Sequence, residues 1–385
     1  MRAAHVARDR APARGWLAPR GARVVLGGAR VDEPAPLAPA AGLFGPRGVC
    51  LAGAGGPLAV CDTGHHRLLV WGRVPEADDA PPDLVIGQRD RAGEARNAGG
   101  TVGAATLNMP TGIAAGQGVL AVADAWNHRV LLWHGWPSSA NRPADIVLGQ
   151  PDTTSAAANR GLARPRADTL NWCFGVAIDG DRLFVADTGN RRVLVWDGIP
   201  TAHGAPADLV LGQADFGCRD LDAGGGAPGV GMAWPHMVAA GADRVLVADA
   251  GMHRIMVWNR LPGRCGAPCD VVLGQPDHAR TDANRLGGPT RASLSQPYGV
   301  ALTDGRVVVA DTGNSRLLGF AAARLRTGAD ADALAGQAAF DRHGENRWGA
   351  AGRDTLSWPY GIAVAAGLLA VADTGNNRVL LWDTA

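Results

Sequence analysis

The sequence predicts an all-β protein, a six-bladed β-propeller of four-stranded blades, and three observations predict it. First, an Asp-(Thr/Ala)-Gly-Asn-x-Arg signature recurs with its Asp at Asp62, Asp124, Asp187, Asp249, Asp311 and Asp373, and its Arg at Arg67, Arg129, Arg192, Arg254, Arg316 and Arg378. The step is 62 or 63 residues throughout, and self-similarity at a fixed long period marks a repeat architecture. Second, each unit carries four short runs of Val, Leu and Ile bounded by Gly, Asp and Asn, the pattern of strands and turns. The last unit shows three of them, at 361–364, 368–372 and 378–382; the fourth kind appears elsewhere, as at 145–148 and 208–211. Third, the run missing from the last unit stands at the N-terminus, residues 23–28, as Arg23-Val24-Val25-Leu26-Gly27-Gly28. It is expected to complete the last blade, so that the ring closes and leaves few free sheet edges.

Other landmarks repeat in phase. An aromatic follows each signature Asp by nine residues: Trp71, Trp133, Trp196, Trp258, Phe320 and Trp382. A Gly-Gln pair ends the fourth run of five units, and an Asn or Asp lies nine residues beyond that Gln (Asn97, Asn159, Asp222, Asn284, Asn346). A Pro-x-Gly then opens the next unit, as Pro110-Thr111-Gly112 and Pro359-Tyr360-Gly361. Because the Asp/Arg pair is present in every unit, it reads as a pin for the turn between second and third strands. Gly and Asn suit that turn through their tolerance of left-handed backbone angles. The recurrent aromatics read as packing between blades.

Composition bounds the function. The repeat spans 23–385 and argues for one domain, with residues 1–22, rich in Arg, Ala and Pro, as a disordered tail. The net charge is +1, so no global field attracts DNA or an acidic membrane. All 37 basic residues are Arg, which removes Schiff-base lysine chemistry and a Walker-type phosphate loop. No apolar signal segment and no membrane-length run is visible, so a cytoplasmic location is expected. Cys50 and Cys61 occupy slots held elsewhere by Ala and read as small buried residues. Cys265 and Cys269 flank a short turn and would pair only in an oxidising compartment.

The signature resembles the NHL repeat. The residues that carry the resemblance are Asp373-Thr374-Gly375-Asn376-Asn377-Arg378 with Val379-Leu380-Leu381-Trp382, and it extends over nearly the whole chain. The Leu148-Gly149-Gln150-Pro151-Asp152 segment looks like those of bacterial members. The resemblance implies the propeller fold. It leaves activity open, since relatives include RNA binders, protein-interaction modules, lyases and hydrolases.

Function is expected where the blades differ. The turns between second and third strands share a face with connectors of about 22 residues between blades, long enough to carry function. The residue after the Pro slot, at the channel mouth, reads Arg47, Thr111, Phe174, His236, Tyr298 and Tyr360 around the ring. The residues before it include Met109, Trp172, Trp234, Gln296 and Trp358, Cys173 stands in a Pro slot, and the turns on the same face add His65, His66, Trp126, His128, Met252 and His253. The first reading is a binding module for a small molecule, peptide or protein at this mouth, with Arg47, Trp172, Phe174, Trp234, Tyr298, Trp358 and Tyr360 as the lining. The second is an enzyme, a metal-dependent lyase or a hydrolase, with His236 and Tyr360 as acid or base groups and Cys173 as a nucleophile. Resemblance to amidating lyases, whose zinc sits on three Pro-His histidines, is matched by His236 alone. A possible transition-metal site, copper above all, would use His236, Met237 and His253. Single-stranded RNA binding, drawing on Arg47, Arg160, Arg164 and Arg166, is the weakest reading because the chain is nearly neutral.

Overall fold

The computed structural model describes residues 15–27, 42–53, 55–225, 228–303 and 305–384. Six four-stranded antiparallel sheets stand around one axis, and five run in simple sequence order from the innermost strand outward. The innermost strands are Gly48–Leu51, Pro110–Gly116, Gly175–Asp179, Pro235–Gly241, Pro297–Leu302 and Pro359–Ala365; each touches the next, and the sixth touches the first. Among the described residues no helix is long and apolar enough to cross a membrane.

The sixth sheet closes the ring as the sequence predicts. Strand Val24–Gly27 pairs antiparallel with Arg378–Asp383, with Val24 opposite Leu381 and Gly27 opposite Arg378. Gly28, the last residue of the predicted strand, lies outside the described residues. The edge amides of this outermost strand are also met, Val25 donating to Asp78 Oδ1 and Gly27 to Asp79 Oδ1 from the first blade.

The expectation of a tail over 1–22 is corrected for residues 15–22; residues 1–14 lie outside the described residues. Leu17 bridges Thr384, and Trp382 Nε1 donates to the Ala18 carbonyl at 2.9 Å. Trp71, Trp133, Trp196 and Trp258 make the same bond to Ala80, Arg142, Ala205 and Ala267 in their own third-to-fourth connections. Residues 15–22 therefore supply the connection that the last blade lacks. Ala22 carries the signal in the sequence, since it precedes its strand as Ala144 and Ala207 precede theirs. One polarity is exchanged at this seam. In four blades an Asp (Asp83, Asp145, Asp208, Asp270) accepts the amide that follows the aromatic. In the last blade that slot is Arg23, and Arg20 and Arg23 instead approach Asp383 at 2.8 and 3.5 Å.

The core lies between blades. Each of the six apolar clusters is shared by two adjacent blades, and each contains one of the six recurrent aromatics. Trp133, for example, packs with Leu68, Val70 and Ile86 of the preceding blade. The expected inter-blade role of these rings is thus observed, and it follows from their bulk and the flatness of the facing sheets. Cys50 and Cys61 fill small buried positions, and all six cysteines, Cys265 and Cys269 included, are free thiols.

The signature pairs are buried ion pairs. Asp124 Oδ2 accepts Arg129 Nε at 2.8 Å and Asn127 Nδ2 at 2.7 Å, while Oδ1 accepts the Asn108 amide at 2.6 Å. Arg129 spends its remaining donors on the connectors either side, Nη2 on Gly103 and Thr106 and Nη1 on Thr153. The same pattern recurs around Arg192 and Arg316. The pair thus pins its turn, as expected, and also ties down both neighbouring connectors.

The backbone reason for the signature differs from the expected one. The left-handed residue is the one before the Arg: His66, His128, Arg191, His253, Ser315 and Asn377. The signature Gly is not left-handed. A Cβ on Gly189 would meet the Asn171 carbonyl oxygen at 2.6 Å, and one on Gly375 the Ser357 carbonyl oxygen at 2.9 Å, so Gly is needed for close approach.

Two outcomes are expected. Trp16→Ala should cost about 3–5 kcal/mol in chemical denaturation, the range for a buried aromatic, whereas a tail residue would change stability by less than about 0.5 kcal/mol. Arg129→Met, which strands the buried Asp124 carboxylate, should cost about 3–5 kcal/mol; a loss near zero would show that the pair does not hold the connectors.

Candidate functional site

At the channel mouth the residues after the Pro slots meet one another across the axis. Phe174 and His236 lie 4.6 Å apart by ring centroids, His236 and Tyr298 stack at 4.2 Å, and Tyr298 and Tyr360 lie at 4.4 Å. Arg47 bridges the gap, its guanidinium carbon 5.1 Å from the Tyr360 ring centroid and 5.7 Å from that of Phe174. Thr111, the sixth member, turns its hydroxyl to the Phe174 carbonyl at 2.8 Å. Five side chains from five blades therefore form a plug. Behind it the innermost strands enclose a cavity of about 220 Å³ whose lining includes Cys50, Met237 and Ile362.

The innermost strands come this close because Pro-x-Gly ends in Gly. A Cβ on Gly112 would stand 2.4 Å from the Phe174 carbonyl oxygen, and one on Gly361 2.3 Å from that of Arg47. The fourth blade departs, with Met237 in the Gly slot, lining the cavity and packed against the apolar cluster shared with the fifth blade.

Just outside the plug, backbone amides decide where the Trp residues point. Met109, Trp172 and Gln296 are left-handed and donate their amides to Nδ1 of His66, His128 and His253, the left-handed turn residues of the preceding blades. Ser315 Oγ takes the same role for Trp358, at 3.4 Å, and Asn377 Oδ1 for Gly45, at 2.8 Å. The exception is again at the fourth blade. The preceding turn there offers Arg191, which has no acceptor. The Trp234 amide turns instead to Asp249 Oδ1, which the Ala233 amide shares.

These loops carry an apolar rim. The large hydrophobic side chains most exposed among the described residues are Phe44, Trp126, Leu162, Trp172, Leu221, Trp234, Leu286, Trp348 and Trp358. All nine lie on connectors, Pro-slot loops or second-to-third turns, which is one face of the ring. Trp172 sits edge-on to Phe174 at 5.0 Å, and Trp234 lies 6.4 Å from His236, so rim and plug form one aromatic surface. Sequence reasoning named Trp126, Trp172, Trp234 and Trp358 for this face. It missed Phe44, Leu162, Leu221, Leu286 and Trp348, whose exposure follows from loop conformation; Leu286 and Trp348 are left-handed residues just beyond the recurrent Asn.

Comparison with known proteins agrees with the propeller fold. The family model for the NHL repeat matches residues 107–131 and 294–320. The chain carries NHL repeats at these two positions within its six-bladed propeller. No curated protein matches it. Among solved structures it is similar to hydrazine synthase of Kuenenia stuttgartiensis, at 13% identity and TM-score 0.52, covering 89% of this chain and 96% of that one. A Bacteroides thetaiotaomicron protein of unknown function is also similar, at 12% identity and TM-score 0.49, covering 89% of this chain and 70% of that one. Identities this low speak for the fold alone.

The propeller places the proposed chemical groups as follows. His236 is buried; its Nδ1 faces the Trp234 carbonyl at 3.2 Å, which assigns that nitrogen the proton. Burial pushes the imidazole down to about 4, with the Trp234 carbonyl opposing and Arg47 adding to the fall. Burial likewise pushes the Tyr360 and Tyr298 phenols up, and the two phenols share a hydrogen bond. The plug is therefore neutral apart from Arg47. Cys173 is fully buried, its Sγ donating to the Arg129 carbonyl at 3.2 Å, and burial pushes its thiol well up. A thiol so held is a core group, and its reading as a nucleophile is corrected. His253 spends Nδ1 on the Gln296 amide, so it serves the backbone rather than a metal. Among the described residues no three His, Cys, Asp or Glu side chains converge as a metal site. The donor set therefore does not fit a three-histidine zinc centre.

The buried histidines give a pH signature. Unfolded, His236 binds a proton near pH 6.5; folded, it resists until about 4, so stability should fall as pH drops through that window. Burial lowers His66, His128 and His253 too, which adds to the fall. Denaturation midpoints of His236→Phe should decline less steeply between pH 6.5 and 4 than those of the parent protein; equal slopes would contradict a buried neutral imidazole.

Proposed function

We propose that this propeller is a binding module whose ligand surface is the connector face, the rim of Trp126, Trp172, Trp234 and Trp358 around the Arg47–Phe174–His236–Tyr298–Tyr360 plug. One observation carries the reading: among the described residues, the nine exposed large hydrophobics all sit on that face. Apolar groups scattered singly over a surface mean little, whereas a contiguous set on one face marks an interaction site. Aromatic side chains suit such a site because they bring contact area at small cost in rotamer entropy. The scaffold beneath is rigid, since the buried Asp/Arg pairs hold the connectors at both ends.

A peptide or protein segment is the favoured occupant. The plug closes the channel, so the face offers a broad surface rather than a deep pocket. Catalysis at the same mouth has less support, because the buried, neutral His236 and the raised phenols of Tyr298 and Tyr360 are poorly matched to acid–base work near pH 7.

A phage-displayed peptide library panned against the full chain tests this reading. Enriched peptides should bind Trp172→Ser and Trp234→Ser at least about tenfold more weakly, in line with aromatic hot spots. Peptides that bind both variants as well as the parent would place the interaction elsewhere.

A further inference from the structure

Among the described residues, Arg47 differs from the half-buried arginines that pair with a carboxylate. Arg142, Arg160 and Arg306 each meet a carboxylate, Asp145, Asp168 and Asp332. Among the described residues, the Arg47 guanidinium lies against aromatic rings, those of Tyr360 and Phe174, and pairs with no carboxylate. The six signature carboxylates are all taken by their own arginines. Glu345, the carboxylate on the rim, accepts from Trp358 Nε1 at 2.8 Å. The other residues in the slot are Thr, Phe, His, Tyr and Tyr, and none is acidic. Among the described residues, the centre of the mouth is thus a positive charge set in aromatic walls with no carboxylate against it.

That arrangement is physically specific. A guanidinium carries five N–H donors, and π faces draw its charge without satisfying those donors in the way an oxygen acceptor does. Aromatic walls also displace part of the water that would otherwise screen the charge, so a charge-assisted hydrogen bond there is worth more than on an open surface. The charge is single. A planar monoanion balances it and matches the guanidinium fork, whereas a phosphate dianion would bring an excess negative charge to desolvate among the rings.

The geometry points to Arg47 as a carboxylate receptor: the ligand of this face presents a carboxylate to Arg47 and lays an apolar or aromatic group against Trp172, Trp234 or Trp358. The inference rests on the reading of this face as the binding surface. Two sources of such a group exist, a free organic carboxylate and the C-terminal carboxylate of a peptide, and both share the chemistry of an amphipathic monoanion.

Titration calorimetry on the full chain with 3-phenylpropanoate, 3-phenylpropanamide and inorganic phosphate tests it. A parallel arm compares a phage-selected peptide, synthesised with its sequence at the C-terminus, as the free acid and as the C-terminal amide. The carboxylate should bind on the order of tenfold or more tighter than its amide, the value of a charged hydrogen bond, and phosphate should bind more weakly than the carboxylate. Arg47→Gln should abolish the acid-over-amide preference while leaving the melting temperature near that of the parent, since Arg47 holds no ion pair. The amide comparison needs no protein variant, so it decides the matter even if Arg47→Gln unfolds. If the preference appears only in the small-molecule arm, the ligand is a free carboxylate; if only in the peptide arm, a chain terminus. Equal binding of acid and amide in both arms, tighter binding of phosphate, or no binding of any acid overturns the inference. In the first case the selected peptides still bind through the rim Trp residues, and the binding-module reading stands without the carboxylate.

Discussion

The buried Asp/Arg pair is the interaction on which the rest of this molecule depends. Its carboxylate gathers the turn and the amide of the approaching Pro-slot loop; its guanidinium gathers carbonyls from the connectors before and after it. Taking two charges out of water is costly, and the cost is met only because nearly every lone pair and proton is used. Six such hubs convert loops of about 22 residues into parts of a rigid face. In the fourth blade the hub is weaker by this measure: Met252 replaces the Asn partner, and Arg254 Nε stands 3.2 Å from Asp249. Burial pushes the Asp249 carboxyl up there, with Arg254 opposing.

A second layer of order follows from the first. The left-handed turn residue next to each Arg faces the following blade, and where it carries an acceptor it captures an amide of the loop before the Pro slot. Histidine serves three times, through Nδ1, and this role explains His66, His128 and His253 without a metal. Where that residue is Arg191 the capture fails, and Trp234 takes a different backbone conformation from Trp172 and Trp358. The irregular rim around His236 is thus a consequence of a single residue type one blade away. The result is a surface of unequal Trp positions over a symmetric scaffold.

Much of the fold was legible before any coordinates. The repeated Asp, Arg, aromatic and Pro-Gly positions locate the strands, the turns and the inter-blade packing, since each landmark has one physical task and the task is the same in every blade. The candidate site was legible only in part. Alignment of the repeats singles out Arg47, Phe174, His236, Tyr298 and Tyr360 as departures at one slot, but it does not show that they fill the channel. It also offers Cys173 and His253 as reactive groups, because neither full burial nor the direction of Nδ1 is written in spacing. Residues 15–22 escaped for a related reason: the matching of Ala18 and Ala22 to their counterparts has few letters in common, and only the bond from Trp382 to Ala18 makes the equivalence plain.

The sequence by itself determined the number of blades, their order and the closure of the last by strand Val24–Gly27, because these depend on a local pattern repeated every 62 or 63 residues. Only the tertiary structure decided that the mouth is a plug of four adjoining rings, one pair of them stacked, around a cation with no carboxylate partner among the described residues. Those five side chains come from five blades and meet only when the ring is closed; which of them touch depends on how far the glycines let the innermost strands approach, a distance that no one-dimensional spacing records.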